Sequence, residues 1–153
     1  MSFAIETPAF KNEEEIPRKF TCSGAGVSPP LRWVNPPNGV HTFALIVDDP
    51  DAPLGTFTHW LIWNIPAGST DLPEGLPRKT ALENNVNQGT NDFNRIGYGG
   101  PCPPAGKPHR YFFRLYALDT QIEARTGATR SELDRAIAGH IVAQAEYMGT
   151  FRR

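Results

Sequence analysis

The sequence predicts a mainly β protein built from antiparallel strands. Three observations point there: fifteen Pro and fourteen Gly fall between short apolar runs, Phe57–Ile65 and His109–Leu118 alternate with a period of two, and helical periodicity is confined to one stretch near the C-terminus. The 153 residues and 16.9 kDa fit a single domain, 1–153. A chain of this size buries about 70% of its unfolded surface and needs no disulfide or metal to fold.

Taken in order, Leu31–Val34 is a short strand ended by the turn Asn35-Pro36-Pro37-Asn38-Gly39. Thr42–Val47 is a near-continuous apolar run, the pattern of a strand buried on both faces. The loop Asp48-Asp49-Pro50-Asp51-Ala52-Pro53 follows. In the next strand, Phe57, His59, Leu61, Trp63 and Ile65 share one face by simple alternation, and Thr58, Trp60, Ile62 and Asn64 the other. Both faces are apolar, so this strand is central. Residues 66–108 hold no long element, and Asn84, Asn85, Asn87, Asn91 and Asn94 cluster there. An ordered loop of that length is usually functional.

His109–Leu118 directs His109, Tyr111, Phe113, Leu115 and Ala117 one way and Arg110, Phe112, Arg114, Tyr116 and Leu118 the other. Thr129-Arg130-Ser131-Glu132 has the spacing of a capping box. Leu133, Ala136, Ile137, His140 and Ile141 then give the apolar stripe of a short helix packed on the sheet. Val142–Phe151 alternates as a last strand, with Ala143, Ala145, Tyr147, Gly149 and Phe151 on one side.

Fifteen Lys plus Arg against sixteen Asp plus Glu leave a formal charge of -1, with the basic residues scattered, which argues against nucleic acid as a partner. The hydrophobic content of 39% argues against disorder. No apolar run nears the roughly 20 residues that span a bilayer. Met1–Glu15 lacks the cationic and apolar regions of a signal peptide, so a cytoplasmic location is expected. Cys22 and Cys102 alone form no disulfide framework and no zinc pair. A single bridge between them stays open, and a reducing cytoplasm makes it the lesser expectation.

His59 and His109 stand at the edges of two strands, each close to a turn-rich loop and each sharing a face with aromatic residues. Asp48, Asp49 and Asp51 offer carboxylates, and Gly97-Tyr98-Gly99-Gly100-Pro101-Cys102-Pro103-Pro104 offers backbone N–H groups that glycine lets a ligand approach. A carboxylate beside an imidazole favours the protonated ring, and two imidazolium donors with a Gly N–H and a Tyr hydroxyl suit phosphate oxygens. Spacing alone also allows each histidine to be a hydrogen-bonded strand residue without a ligand, and pairing of the two strands is not visible in the sequence.

Several stretches together resemble the bacterial and archaeal, Raf kinase inhibitor-like branch of the phosphatidylethanolamine-binding protein (PEBP) family. They are Phe20-Thr21-Cys22-Ser23-Gly24, Ser28-Pro29-Pro30-Leu31-Arg32-Trp33, Asp48-Asp49-Pro50-Asp51-Ala52-Pro53, Thr58-His59-Trp60-Leu61-Ile62-Trp63-Asn64-Ile65-Pro66, the Gly/Pro loop above, and Pro108-His109-Arg110-Tyr111. The resemblance spans nearly the whole chain. It implies a PEBP-like antiparallel β-sandwich with one or two short helices and a small preformed pocket for phosphate or a phosphoryl head group. It also implies the site residues: Asp49, His59, His109 and Tyr111, with Gly100 and Pro101 at the rim and Asp51 and Pro53 shaping the loop. Asn12-Glu13 stands where relatives often have Gly, and Ser23 where they often have Asp. Eukaryotic members end in a helix beside the pocket, so a chain that stops after a strand implies a more open pocket.

The expected role is therefore a non-enzymatic binding protein without metal or cofactor. It would act as a modulator or inhibitor of a protein target, a protease or kinase, and as a homodimer to which the segment from Pro66 to Pro108 contributes. Three rivals are a facial metal triad of His59, His109 and Asp49, a hydrolase using Cys102 as nucleophile, and a protease- or kinase-inhibitor module in which the pocket is secondary. His41 is expected in solvent, His140 in the core, and Trp33, Trp60 and Trp63 are expected to be structural.

Overall fold

The computed structural model describes residues 2–153. The apolar run extends two residues further than expected, as β3 (Thr42–Asp49), with every residue buried. It lies between β4 (Phe57–Pro66) and β7 (His109–Leu118), both antiparallel to it. The short β6 (Asn87–Gln88) pairs outside β4, and β8 (Ile141–Phe151) pairs outside β7. The order is therefore β6-β4-β3-β7-β8.

A second, antiparallel sheet is formed by β1 (Ala4–Glu6), β2 (Leu31–Val34) and β5 (Asp71–Leu72), in the order β1-β2-β5. Ile5, Leu31, Trp33 and Leu72 from it pack with Phe43, Leu45, Val47, Phe113 and Leu115 of the large sheet. The sandwich that the sequence led us to expect is formed by this shared core. On the other face of the large sheet, Ala44, Ile46, Leu61, Trp63 and Leu118 meet Leu133 and Ile137 of α1 (Arg130–Ile137). The expected capping box opens this helix.

Two irregularities in β4 overturn simple alternation. Val47 is opposite Trp60 and Asp48 is opposite Thr58, which leaves His59 as the extra residue of a bulge. His59 and Trp60 therefore both lean toward the sandwich interior, where His59 meets Tyr111 edge-on at 5.3 Å. The sequence reading, which placed them on opposite faces, is corrected by this bulge. A second shift, between Phe43 opposite Ile65 and Leu45 opposite Ile62, includes Asn64 at φ 59°. β7 has no shift against β8 over His109–Ala117 or against β3 over Phe112–Leu118, and its two faces are as read from the sequence.

The long segment after β4 is ordered by contacts within the chain. Trp60 Nε1 donates to buried Gln88 Oε1 at 2.8 Å, and Gln88 Nε2 donates to the carbonyls of Pro77 and Lys79 at 2.7 and 2.9 Å. Asn84, Asn85 and Asn94 have φ values of 60°, 63° and 62°, the left-handed region that asparagine tolerates better than most residues, which accounts for part of the asparagine cluster. Cys22 and Cys102 are joined in a disulfide with Cα atoms 5.3 Å apart, so the expectation of free thiols is corrected: the folded loops bring together residues 80 apart in sequence.

His41 is exposed as expected. His140 is not a core residue, because α1 stops at Ile137 and Gly139 turns the chain at φ 82°; its ring instead pairs with Asp119 at 2.9 Å on the surface. Among the described residues no helix is long and apolar enough to cross a membrane.

Candidate functional site

The ends of β3, β4 and β7 place their polar residues around one cavity of about 530 Å³. His59, His109 and Tyr111 line it together, so the two histidines do share a site. Their juxtaposition follows from the strand order, since β3 between β4 and β7 carries Asp49 at its end. Asp49 is buried, and its Oδ2 accepts from His109 Nδ1 at 2.7 Å while its Oδ1 accepts from the Asp51 amide at 2.8 Å. Asp49 thus supports His109 from behind. Asp51 in turn accepts hydrogen bonds from Nε, Nη2 and the amide of Arg110, at 2.8–2.9 Å, and these hydrogen bonds hold its carboxyl below the usual range. It shapes the loop, as the resemblance implied.

His59 is set differently. Its Nδ1 donates to the carbonyl of Gly99 at 2.6 Å, and its own carbonyl accepts from the Gly99 amide at 2.9 Å. Because a carbonyl can only accept, the proton sits on Nδ1, and the Nε2 lone pair is left for the cavity. His59 is 3% exposed, and burial pushes its pKa below the ordinary histidine value, against the pull of the Gly99 carbonyl and of Asp49, Asp92 and Asp48. The site therefore does not carry the two imidazolium donors expected from the placement of these histidines beside the aspartate loop.

Tyr111 supplies a further donor. Its hydroxyl is buried without a hydrogen-bond partner, although the Asp49 carboxylate lies beside it outside hydrogen-bonding geometry. Burial, followed by that carboxylate, pushes the phenol well above its usual pKa, so the proton stays on oxygen. An orphaned buried donor on a residue that lines a cavity is a place where a ligand acceptor can complete the hydrogen bond.

The walls are apolar. Pro53, Leu54, Phe57, Phe93, Pro103 and Pro104 surround the polar floor, with Cys102, Thr56 and Asp92 at the margin. Phe93 was not anticipated from the sequence: buried Asn91 accepts from the amides of Phe93 and Arg95 at 2.9 and 3.2 Å, and the turn so formed carries Phe93 to within 5.4 Å of His59, ring to ring. An isolated aromatic in an asparagine-rich loop was the available signal. Arg153 donates to the Pro103 carbonyl at 2.6 Å and fixes that wall from the C-terminal end.

Gly100 and Pro101 lie behind the wall rather than on it. A Cβ on Gly100 would stand 2.7 Å from the Phe20 carbonyl, and the Pro101 carbonyl accepts from the Cys22 amide at 3.0 Å. These contacts join the Gly/Pro loop to the Cys22 loop beside the disulfide. Asp48 is also outside the cavity, turned to the opposite face, where Arg114 and Arg130 both reach it at 3.1 Å. The open basin there, about 730 Å³, is larger than the histidine cavity. Its arginines, however, are already paired with Asp48, Asp134 and Glu146, so they offer a ligand little uncompensated charge.

The sequence profile described as phosphatidylethanolamine-binding protein matches residues 6–152. A UPF0098 protein of Pyrococcus abyssi is 50% identical over 147 residues, covering 94% of this chain and 82% of its own. A UPF0098 protein of Aquifex aeolicus is 46% identical, covering 95% and 85%. Among solved structures, the PEBP homolog CT736 from Chlamydia trachomatis superposes with a TM-score of 0.90 at 37% identity, over 99% of this chain and 98% of that one. YbcL of E. coli, described as a new member of the mammalian PEBP family, gives 0.93 at 34% identity over 100% and 99%.

Proposed function

This chain belongs to the phosphatidylethanolamine-binding protein family, and we propose from that premise that it binds a small oxyanion, phosphate or a phosphoryl head group, in the cavity of His59, His109 and Tyr111. One observation carries the reading: Tyr111, whose buried hydroxyl makes no hydrogen bond within the protein, lines the same cavity as His59 and His109, whose Nδ1 atoms are committed to Gly99 and Asp49 and whose Nε2 atoms are not. His109 donates from Nε2 when protonated, with the Asp49 carboxylate compensating its charge.

We read the site as one that binds without turnover. The Cys102 sulfur is bonded to Cys22, so it has no thiolate to serve as nucleophile. The facial triad would need Asp49 to turn from His109 into the cavity, and no group of three metal-ligating side chains converges among the described residues. The apolar wall suits the body of a head-group compound. The exposed rim, with Leu54 wholly in solvent, suits a protein target that reads occupancy, the modulator or inhibitor role.

Calorimetric titration with inorganic phosphate and with phosphoethanolamine tests the reading. Wild-type protein is expected to bind, and His109→Ala to weaken affinity about ten-fold or more, as loss of one charge-assisted hydrogen bond requires. Equal affinity in a His109→Ala, Tyr111→Phe double variant would end the proposal.

A further inference from the structure

The hydrogen-bonding character of the cavity goes further than the class of ligand, and it rests on the oxyanion reading above. The Nδ1 proton of His59 is committed to Gly99, so Nε2 faces the cavity as an acceptor. Tyr111, a lining residue, carries one hydroxyl proton that no protein group accepts. His109, with Nδ1 committed to Asp49, offers a second donor only in its protonated form, and Asp49 then cancels the charge; in its neutral form it adds another acceptor. Among the described residues no Lys or Arg lines the cavity, whereas Asp92 stands at its margin.

A fully ionised oxyanion such as sulfate has acceptors only. Placed here, it would set its oxygen lone pairs against the His59 lone pair, with no permanent cation to compensate. The geometry points to a ligand that carries its own acidic proton: a monoprotonated phosphoryl or phosphonyl group, whose O–H donates to His59 Nε2 while its other oxygens accept from Tyr111 and His109. An apolar substituent on that group lies against Phe57, Phe93, Pro103 and Pro104. His59 is then the residue that separates phosphoryl from sulfuryl ligands.

Burial keeps His59 in the neutral form the assignment requires. The titratable groups around it are Asp48 and Asp49 of β3, His109 and Tyr111 of β7, and Asp92 of the loop. The three carboxylates oppose the burial effect without overcoming it.

Three ligands of matched shape test the assignment by calorimetry at pH 6, where a phosphoryl group with a second pKa near 6 keeps its proton in about half of the molecules. Phenylphosphonate carries the acidic O–H. Benzenesulfonate and the monomethyl ester of phenylphosphonate are monoanions without it. Phenylphosphonate is expected to bind at least five-fold more tightly than either, and the preference is expected to vanish in His59→Phe, which keeps the ring but not the acceptor. Binding of the sulfonate or the ester within five-fold of phenylphosphonate overturns the requirement for a ligand proton while leaving the oxyanion reading standing. Failure of all three to bind wild-type protein overturns both. The wild-type titrations decide the matter if the variant does not fold.

Discussion

Opening the Cys22–Cys102 bridge perturbs the unfolded chain more than the folded one. The linked residues are 80 apart, and the chain-entropy relation for a loop of that length gives about 4.5 kcal/mol at 25 °C. For a chain of this size a change of 1 kcal/mol moves the melting temperature by about 2–4 °C, so reduction should lower it by roughly 9–18 °C. Each cysteine also sits where the Cys22 loop and the Gly/Pro loop touch, through the Cys22 amide on the Pro101 carbonyl and the close approach of Gly100 to Phe20 and Thr21. Those contacts persist when the bridge is opened, so the fold should survive at lower temperature. Calorimetric melting of oxidised protein, protein reduced with a phosphine, and the double variant C22S/C102S measures the effect. Intact mass after alkylation counts the thiols. Two alkylatable thiols in native protein never exposed to reductant, or melting temperatures within 3 °C of each other in all three samples, would refute the reasoning.

Acidification should destabilise the protein through His59. Its pKa is lowered on folding from the ordinary 6.5, so the unfolded chain binds that proton more readily and stability is lost as the pH falls below about 6.5; denaturant melts from pH 7.5 to 5 should show a steeper loss in wild type than in His59→Phe. Asp48→Asn should cost about 3 kcal/mol, because it leaves Arg114 and Arg130 without their buried partner, yet should not change anion affinity; chemical denaturation and phosphate titration of the same variant separate the two. Self-association, expected from the sequence, should appear in light scattering at micromolar concentration as about twice 16.9 kDa, with the exposed Ile141 and Val142 of β8 and the segment 66–108 as the places to seek its contacts by substitution.

The sequence made β7 legible to the residue because its register is unbroken from His109 to Ala117 against β8 and from Phe112 to Leu118 against β3. β4 was legible as a central strand but not in its faces. A bulge depends on the partner strand, and nothing local to Thr58-His59-Trp60 announces that β3 skips a residue there. β1 has three residues and pairs only with β2, too short for any periodic signal. The pairing of His59 with His109 in one cavity came through the family resemblance, since a contact across β3 is not encoded by either strand alone. Asp49 and Asp48 are adjacent in sequence, and only strand alternation decides that one supports His109 while the other binds arginines on the far face. Gly100 and Pro101, placed at the rim by resemblance, serve the back of the loop; the wall itself comes from Pro103 and Pro104 beyond them. The disulfide was underestimated because its two loops meet only once the sandwich is closed.

The most direct test of the oxyanion site is a crystal structure grown at neutral pH with phosphate as the only oxyanion present. A phosphate within hydrogen-bonding distance of Tyr111 Oη, His109 Nε2 and His59 Nε2 is the predicted result. An empty histidine cavity in crystals whose phosphates sit elsewhere, for example in the Arg114 and Arg130 basin, would contradict it.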